Sequence, residues 1–213
     1  MDITFAIKFF GALFAIMNPL AGLPIFLGMT EDVGSAVQRK IALKMTFYIV
    51  VIGVVAALAG TQVLKFFGIS IHDLQVAGGL VVLGLAFSML HGSPSSMHHG
   101  TEQEQSDFSD SDSLAFYPLA FPVMMGPGSL TTMILFAGQT KGLENWIGYF
   151  VAFGVVVLMV AVLFALGSRL SKYLTSSARV IMSRVMGLIL AAIAIEMIFD
   201  GAKALLPGLA GSA

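Results

Sequence analysis

Six stretches of this chain, roughly 3–29, 41–64, 74–91, 115–139, 146–168 and 182–205, run almost without charge. A helix needs about 20 mostly apolar residues to cross the hydrocarbon of a bilayer. No other feature narrows the accessible folds so far, and it points to an all-α polytopic membrane protein with six transmembrane helices. Composition agrees: 57% of residues are hydrophobic and 11% charged, against about 25% charged in soluble domains. The mean hydropathy is +0.93. Eleven basic residues against twelve acidic give no basic excess for nucleic acid or a polybasic anchor. Cysteine is absent, which excludes disulfides, thiolate chemistry and cysteine metal sites. The start, MDITFAIK, has an acid before its first base and a long apolar run behind it. The first span is expected to be its own insertion signal.

The whole chain, 1–213, reads as one membrane domain in two halves, 1–91 and 115–213, joined by a linker at 92–114. The linker, GSPSSMHHGTEQEQSDFSDSDS from Gly92 to Ser113, has five acids and no Lys or Arg, the composition of a flexible segment. His91, His98 and His99 lack the spacing of a rigid site, so no metal and no cofactor is expected. The loops after spans 1, 3 and 5 hold Arg39, Lys40, Lys44, Arg169, Lys172, Arg179 and Arg184 with their helix ends. The other side has Lys8, Lys65, Lys141 and Lys203. The excess of seven over four places both termini outside and the linker in the cytoplasm.

Spans 1 and 4 are interrupted by their worst helix formers. Met17-Asn18-Pro19 and Met125-Gly126-Pro127 lie 108 residues apart, and the same offset carries Gly79-Leu80 onto Gly187-Leu188, Ala86 onto Ala194 and Met89 onto Met197. One offset linking spans 1 to 4 and 3 to 6 indicates a duplicated three-helix unit. An odd number of spans inverts the second copy. Inverted repeats with discontinuous helices are common in secondary transporters, whose substrate sits near the midplane between the two halves, and the chain is expected to work by alternating access, one repeat rocking against the other around that site.

Each break has its own chemistry. Proline lacks an N–H and clashes with the carbonyl four residues back, so Pro19 frees the carbonyl of Ala15 and Pro24 that of Leu20. Asn18 is suited to cap a new half-helix beginning at Pro19. Pro122 and Gly126-Pro127-Gly128 break the fourth span, and Ser129, Thr131 and Thr132 follow in the first turns of the next half-helix. Half-helix N-termini suit a carboxylate, and loosened carbonyls suit an ammonium or a cation. Together they suit a small zwitterion. The expected substrate-binding residues are Asn18, Pro19, Ala21, Gly22, Gly126, Gly128, Ser129 and Thr131.

Glu196, in AAIAIEMIFDG, is a carboxylate within span 6, and such groups usually face a cavity or a partner. It could carry a proton or hold an ammonium. Glu196 and Thr132 are the candidate ion-coupling groups, for H⁺ or Na⁺. Asp200 is expected to lie on the same helix face as Glu196. Asp73 and Glu144 are expected to serve helix N-termini, and Trp146 and Tyr149 to stand at the membrane interface. Gly78, Gly79 and Gly84 read as a packing face.

NPLAGLPIFLGMT and PVMMGPGSLTT resemble the two signature segments of the MarC family of integral membrane proteins, and the likeness extends over essentially the whole chain. Asn18, Pro19, Pro24 and Phe26 match the first segment. Its glycine is one place late, at Gly22, with Ala21 in the family's glycine position. Gly126-Pro127-Gly128, Ser129 and Thr131 match the second. The resemblance implies six spans, a prokaryotic inner-membrane location and transport of small neutral amino acids such as glycine and alanine. The rival readings are a channel, which would need a continuous polar path through very apolar spans, and a non-transporting scaffold or sensor that uses the acidic linker. An enzyme is not expected, because the spans hold no Ser–His pair, paired aspartates or metal set.

Overall fold

A computed structural model of the chain describes residues 3–30, 33–91, 111–170 and 176–206, and over these it is helical with no strand. The first run is split into α1 (Ile3–Met17) and α2 (Pro19–Met29). It is followed by α3 (Ser35–Phe66) and α4 (Ile71–His91). A short turn, α5 (Ser111–Leu114), leads into a wide π-type segment, α6 (Ala115–Met124). Then come α7 (Pro127–Gln139), α8 (Gly142–Ala165), the short α9 (Gly167–Leu170) and α10 (Ser176–Leu205). The linker histidines His98 and His99 lie outside the described residues.

Among the described residues, four helices are long and apolar enough to cross a bilayer: α3, α4, α8 and the Arg184–Leu205 part of α10. The pair α6–α7, bent by 67°, makes a fifth span if counted as one. At 15 residues α1 is about 22 Å long, short of the roughly 30 Å hydrocarbon thickness without α2. The helices α3, α4 and α10 overrun the apolar segments read from sequence at their starts, and α8 begins ahead of its segment and ends short of it. At the start of α3, SAVQRK is polar yet helix-forming, so the helix continues past the lipid-matched stretch. The N-terminus of α4 is closed by a capping box: Asp73 Oδ2 accepts from Ser70 N (2.9 Å) and Ser70 Oγ (2.6 Å), and Asp73 N donates to Ser70 Oγ (3.1 Å).

Packing forms two apolar clusters. The larger joins α1, α2, α3, α6, α7 and α8 around Phe9, Leu13, Met45, Ile49, Met124 and Phe153. The smaller joins α4 and α10 through Val82, Leu85, Ala86, Leu190 and Ala194, and meets α1 at Ala15 and Ile16. Across the larger cluster α1 lies along α8 and α6 along α3, while α2 touches α8 and α7 touches α3. Along α4 and α10 glycines bring the two backbones together. A Cβ on Gly79 would stand 3.0 Å from the Ala194 carbonyl oxygen, and one on Gly187 would stand 3.1 Å from that of Ala86.

Tyr149 departs from expectation. It is fully buried rather than interfacial. Its ring stacks on Phe9 at 4.3 Å, and its hydroxyl donates to the Met133 carbonyl at 3.0 Å. The ring lies on the face of α8 that packs against α1, and an aromatic near a span end carries no mark of which face it takes.

Candidate functional site

The first break is a single residue wide. The Asn18 N–H closes the last turn of α1 on Phe14 O (2.9 Å), and its own carbonyl accepts from Gly22 N (3.1 Å) to open α2. Its φ of 40° places it in the left-handed region rather than the extended one that a following proline favours. Asparagine enters that region more readily than other non-glycine residues, so it can end one helix while starting the next. The side chain is buried, with Nδ2 3.7 Å from Met89 Sδ on α4. Pro19 is buried at the first position of α2, and Gly22 is buried one turn on. Of Ala21 only the backbone is described, in the first turn of α2. Pro24 does not end a helix, since α2 runs through it to Met29.

The second break is wider. Tyr117 and Phe121 have extended backbone, and the peptide bonds to Pro118 and Pro122 are cis. Pro118 therefore joins Pro122 in the break, although the sequence pattern did not single it out. The Met125 N–H reaches back five residues to Ala120 O (2.8 Å), after which Gly126 is extended and its carbonyl accepts from Leu130 N (3.0 Å). Ser129 Oγ donates to Met124 O at 3.0 Å and so satisfies a carbonyl that the break would leave open. Thr131 is buried with its side chain against Gly78 of α4. Thr132 Oγ1 is buried and, among the described residues, has no hydrogen-bond partner.

The two breaks cross. Gly22, just after the first, faces Met124, just before the second: a Cβ there would lie 3.1 Å from Met124 Sδ. Gly128, just after the second break, faces Ile16, just before the first, with its notional Cβ 3.2 Å from Ile16 Cγ2. Beside this crossing a shallow cleft with about 10 Å³ of free space, room for roughly one water, lies between residues 126–129, Ile16, and Val81, Val82 and Leu85 of α4. Gly126, Gly128 and Ser129 thus share the cleft. Asn18, Gly22 and Thr131 stand around it without lining it.

Glu196 is not brought to either break. It is exposed on the outer face of α10, near Ile195, Phe199 and Asp200. The depth of that face follows from α4, which runs alongside: Gly201 lies against the His72 carbonyl in the first turn of α4. Asp200 is therefore level with the polar end of α4, and Glu196 one turn deeper. A residue missed by sequence reasoning is Gln75, buried one turn before Gly78 and Gly79 on the inward face of α4. An amide placed three and four residues before a glycine pair in an apolar helix is the signal that could have found it.

The chain matches the model of the MarC family integral membrane proteins over residues 3–206. It is 33% identical over 202 residues to the UPF0056 membrane protein YhcE of Escherichia coli, covering 95% of this chain and 94% of that one. It is 31% identical over 210 residues to YvbG of Bacillus subtilis, covering 97% and 98%. A UPF0056 membrane protein of Archaeoglobus fulgidus is 31% identical over 205 residues, covering 94% and 95%. No solved structure matches. With nearly its whole length matched and its apolar helices sufficient for several crossings, the chain belongs to the MarC family of multi-pass integral membrane proteins.

Proposed function

We propose that the chain is a secondary transporter of small neutral amino acids, of the glycine and alanine class, in the prokaryotic inner membrane. It has six spans, counting α1–α2 and α6–α7 as one each, in two inverted halves with both termini outside. The observation that carries this reading is the crossing of the two breaks beside a cleft. Unpaired backbone at membrane depth is tolerated where it is buried in protein or lines a polar cavity. Here the start of α7 brings the N–H groups of Gly128 and Ser129 close to an apolar wall, a setting suited to a carboxylate on a short aliphatic body once the wall on α4 draws back from α7.

Contact symmetry supports inverted halves. Under the offset of 108 residues, Gly79 and Ala86 map onto Gly187 and Ala194, and the Gly79–Ala194 contact maps onto the Gly187–Ala86 contact. Likewise α1 on α8 exchanges with α6 on α3, and α2 on α8 with α7 on α3. The packing also supports a division into two bodies. The α4–α10 pair takes one helix from each half and has its own small core, and the cleft lies where that pair meets α1 and α7. Alternating access is therefore a movement of the α4–α10 pair against the larger cluster, rather than of one half against the other. Thr132, a buried hydroxyl, and Glu196, one turn inside the membrane edge, are the groups for Na⁺ or H⁺ coupling.

The test is counterflow in proteoliposomes loaded with unlabelled alanine and offered trace labelled alanine outside. Transient, saturable accumulation that glycine competes is the expected result. No accumulation with alanine, glycine or serine, in protein shown to be folded and inserted, would remove amino acid transport as the function.

A further inference from the structure

Between the crossing and the first turn of α4, α4 and α7 run antiparallel in close contact. Gly78 of α4 receives the Thr131 side chain, and Gly138 of α7 receives Ile71; a Cβ on either glycine would overlap the side chain opposite. Two buried polar side chains lie along this seam. Gln75 stands on α4 between Ile71 and Gly78, in the stripe that continues to Val82 and faces α7. It is 8% exposed, and among the described residues its amide makes no hydrogen bond. Thr132 stands one turn after Gly128, whose notional Cβ meets Val82. It is 1% exposed, and its hydroxyl has no partner among the described residues. Other helical threonines of the chain bond their own helix: Thr30 Oγ1 donates to Phe26 O at 2.7 Å and Thr46 Oγ1 to Ala42 O at 2.8 Å. A polar group buried without a partner is unfavourable, because the water it would otherwise bond has been removed. Since α4 belongs to the smaller cluster and α7 to the larger, one such group sits on each side of the seam.

Resting on the alternating-access reading above, we propose that this seam, from Ile71–Gly138 to Gly78–Thr131, is the outer gate of the protein, closed in this structure, and that Gln75 and Thr132 are hydrated when it opens. In the six-span topology α4 begins and α7 ends on the outer side, so the seam is the outer route to the crossing. The glycine contacts hold it shut by close packing. The two unpaired polar groups oppose that closure, since parting α4 from α7 gives both of them water. Opposed in this way, the closed and open states lie near enough in free energy for a solute to shift one into the other.

The experiment uses single cysteines in the full chain, which has none of its own. A small membrane-impermeant methanethiosulfonate applied outside intact cells should label Gln75→Cys and Thr132→Cys. Met133→Cys, next in the chain but 0% exposed within the larger cluster, should stay unlabelled. Gly78→Ala wedges the seam against Thr131 and should raise the labelling rate of Thr132→Cys about tenfold. A second measurement leaves the buried positions intact. Ile71→Cys paired with Gly138→Cys, at the outer rim, is bridged by a short reducible bifunctional methanethiosulfonate. Bridging should abolish alanine counterflow, and reduction should restore it. Full counterflow with the bridge in place, or no labelling of Gln75→Cys and Thr132→Cys in protein that transports, would overturn the gate and leave the transport reading standing. Labelling as expected in a protein inactive toward every amino acid tried would overturn the transport reading and leave an opening seam.

Discussion

Asn18 holds its backbone at a φ of 40° and makes two backbone bonds, one to each of the helices it separates. The side chain and the backbone can be tested apart. Glycine adopts the left-handed region freely, whereas alanine there loses about 1–2 kcal/mol. Asn18→Gly should therefore unfold in detergent close to wild type, and Asn18→Ala should be less stable by about 1 kcal/mol, read from thermal unfolding of purified protein. If the amide serves the solute, both variants lose counterflow. Full transport by Asn18→Gly would remove the side chain from the site. This residue was legible in the sequence, because asparagine before proline in an apolar run has few other uses. Ser129 was legible as a hydroxyl following the second break but not as the group that satisfies the Met124 carbonyl. That role depends on the path of α6, where the backbone at Tyr117 and Phe121 is extended. Tyr149 misled because its neighbour Trp146 and its nearness to a span end fit an interfacial aromatic, and only the tertiary packing shows the ring stacked on Phe9.

At the scale of elements, α4 and α10 approach closely at Gly79 and Gly187, with Val82, Leu85 and Leu190 packed between them. In lipid the hydrophobic effect does not drive helices together, so close contact between small residues supplies the attraction. Adding a methyl at Gly79 meets the Ile198 side chain and, behind it, the Ala194 carbonyl oxygen and the Ile198 N–H, backbone groups that cannot turn aside. Gly79→Ala should cost about 1–3 kcal/mol of stability. The comparison is Gly154 of α8, where nothing lies within 4 Å of an added Cβ. Gly154→Ala should raise stability by up to about 1 kcal/mol through the helix backbone alone. Thermal unfolding of the two variants side by side checks both. Equal behaviour would mean that α4 and α10 are not held by this approach. The glycines were visible as a packing face, but their partner helix was not. Composition marks a contact surface without naming what it touches.

At the scale of the molecule, the arrangement of six spans predicts a strict alternation of sides. The chain has no cysteine, so single ones report their positions without interference. Gly34 and Arg169 are exposed and should share one face, while exposed Phe67 and Lys141 should share the other. A membrane-impermeant maleimide should label Phe67→Cys and Lys141→Cys in intact cells, and Gly34→Cys and Arg169→Cys only after the membrane is opened. Labelling of Gly34→Cys and Phe67→Cys from the same side would rule out the six-span topology. The break positions and most spans could be read from apolar runs and prolines. The division into an α4–α10 pair and a larger body could not, because it follows from which helices meet and not from what each contains. One consequence concerns inheritance. If the two halves descend from a single three-helix ancestor, positions 79 and 187 were once one codon, and so were 86 and 194. The same glycine would then have met the same alanine twice in a pair of oppositely inserted copies. Drift at either position now breaks a match that began as an identity, so substitutions at 79 and 86 should be constrained jointly with those at 187 and 194.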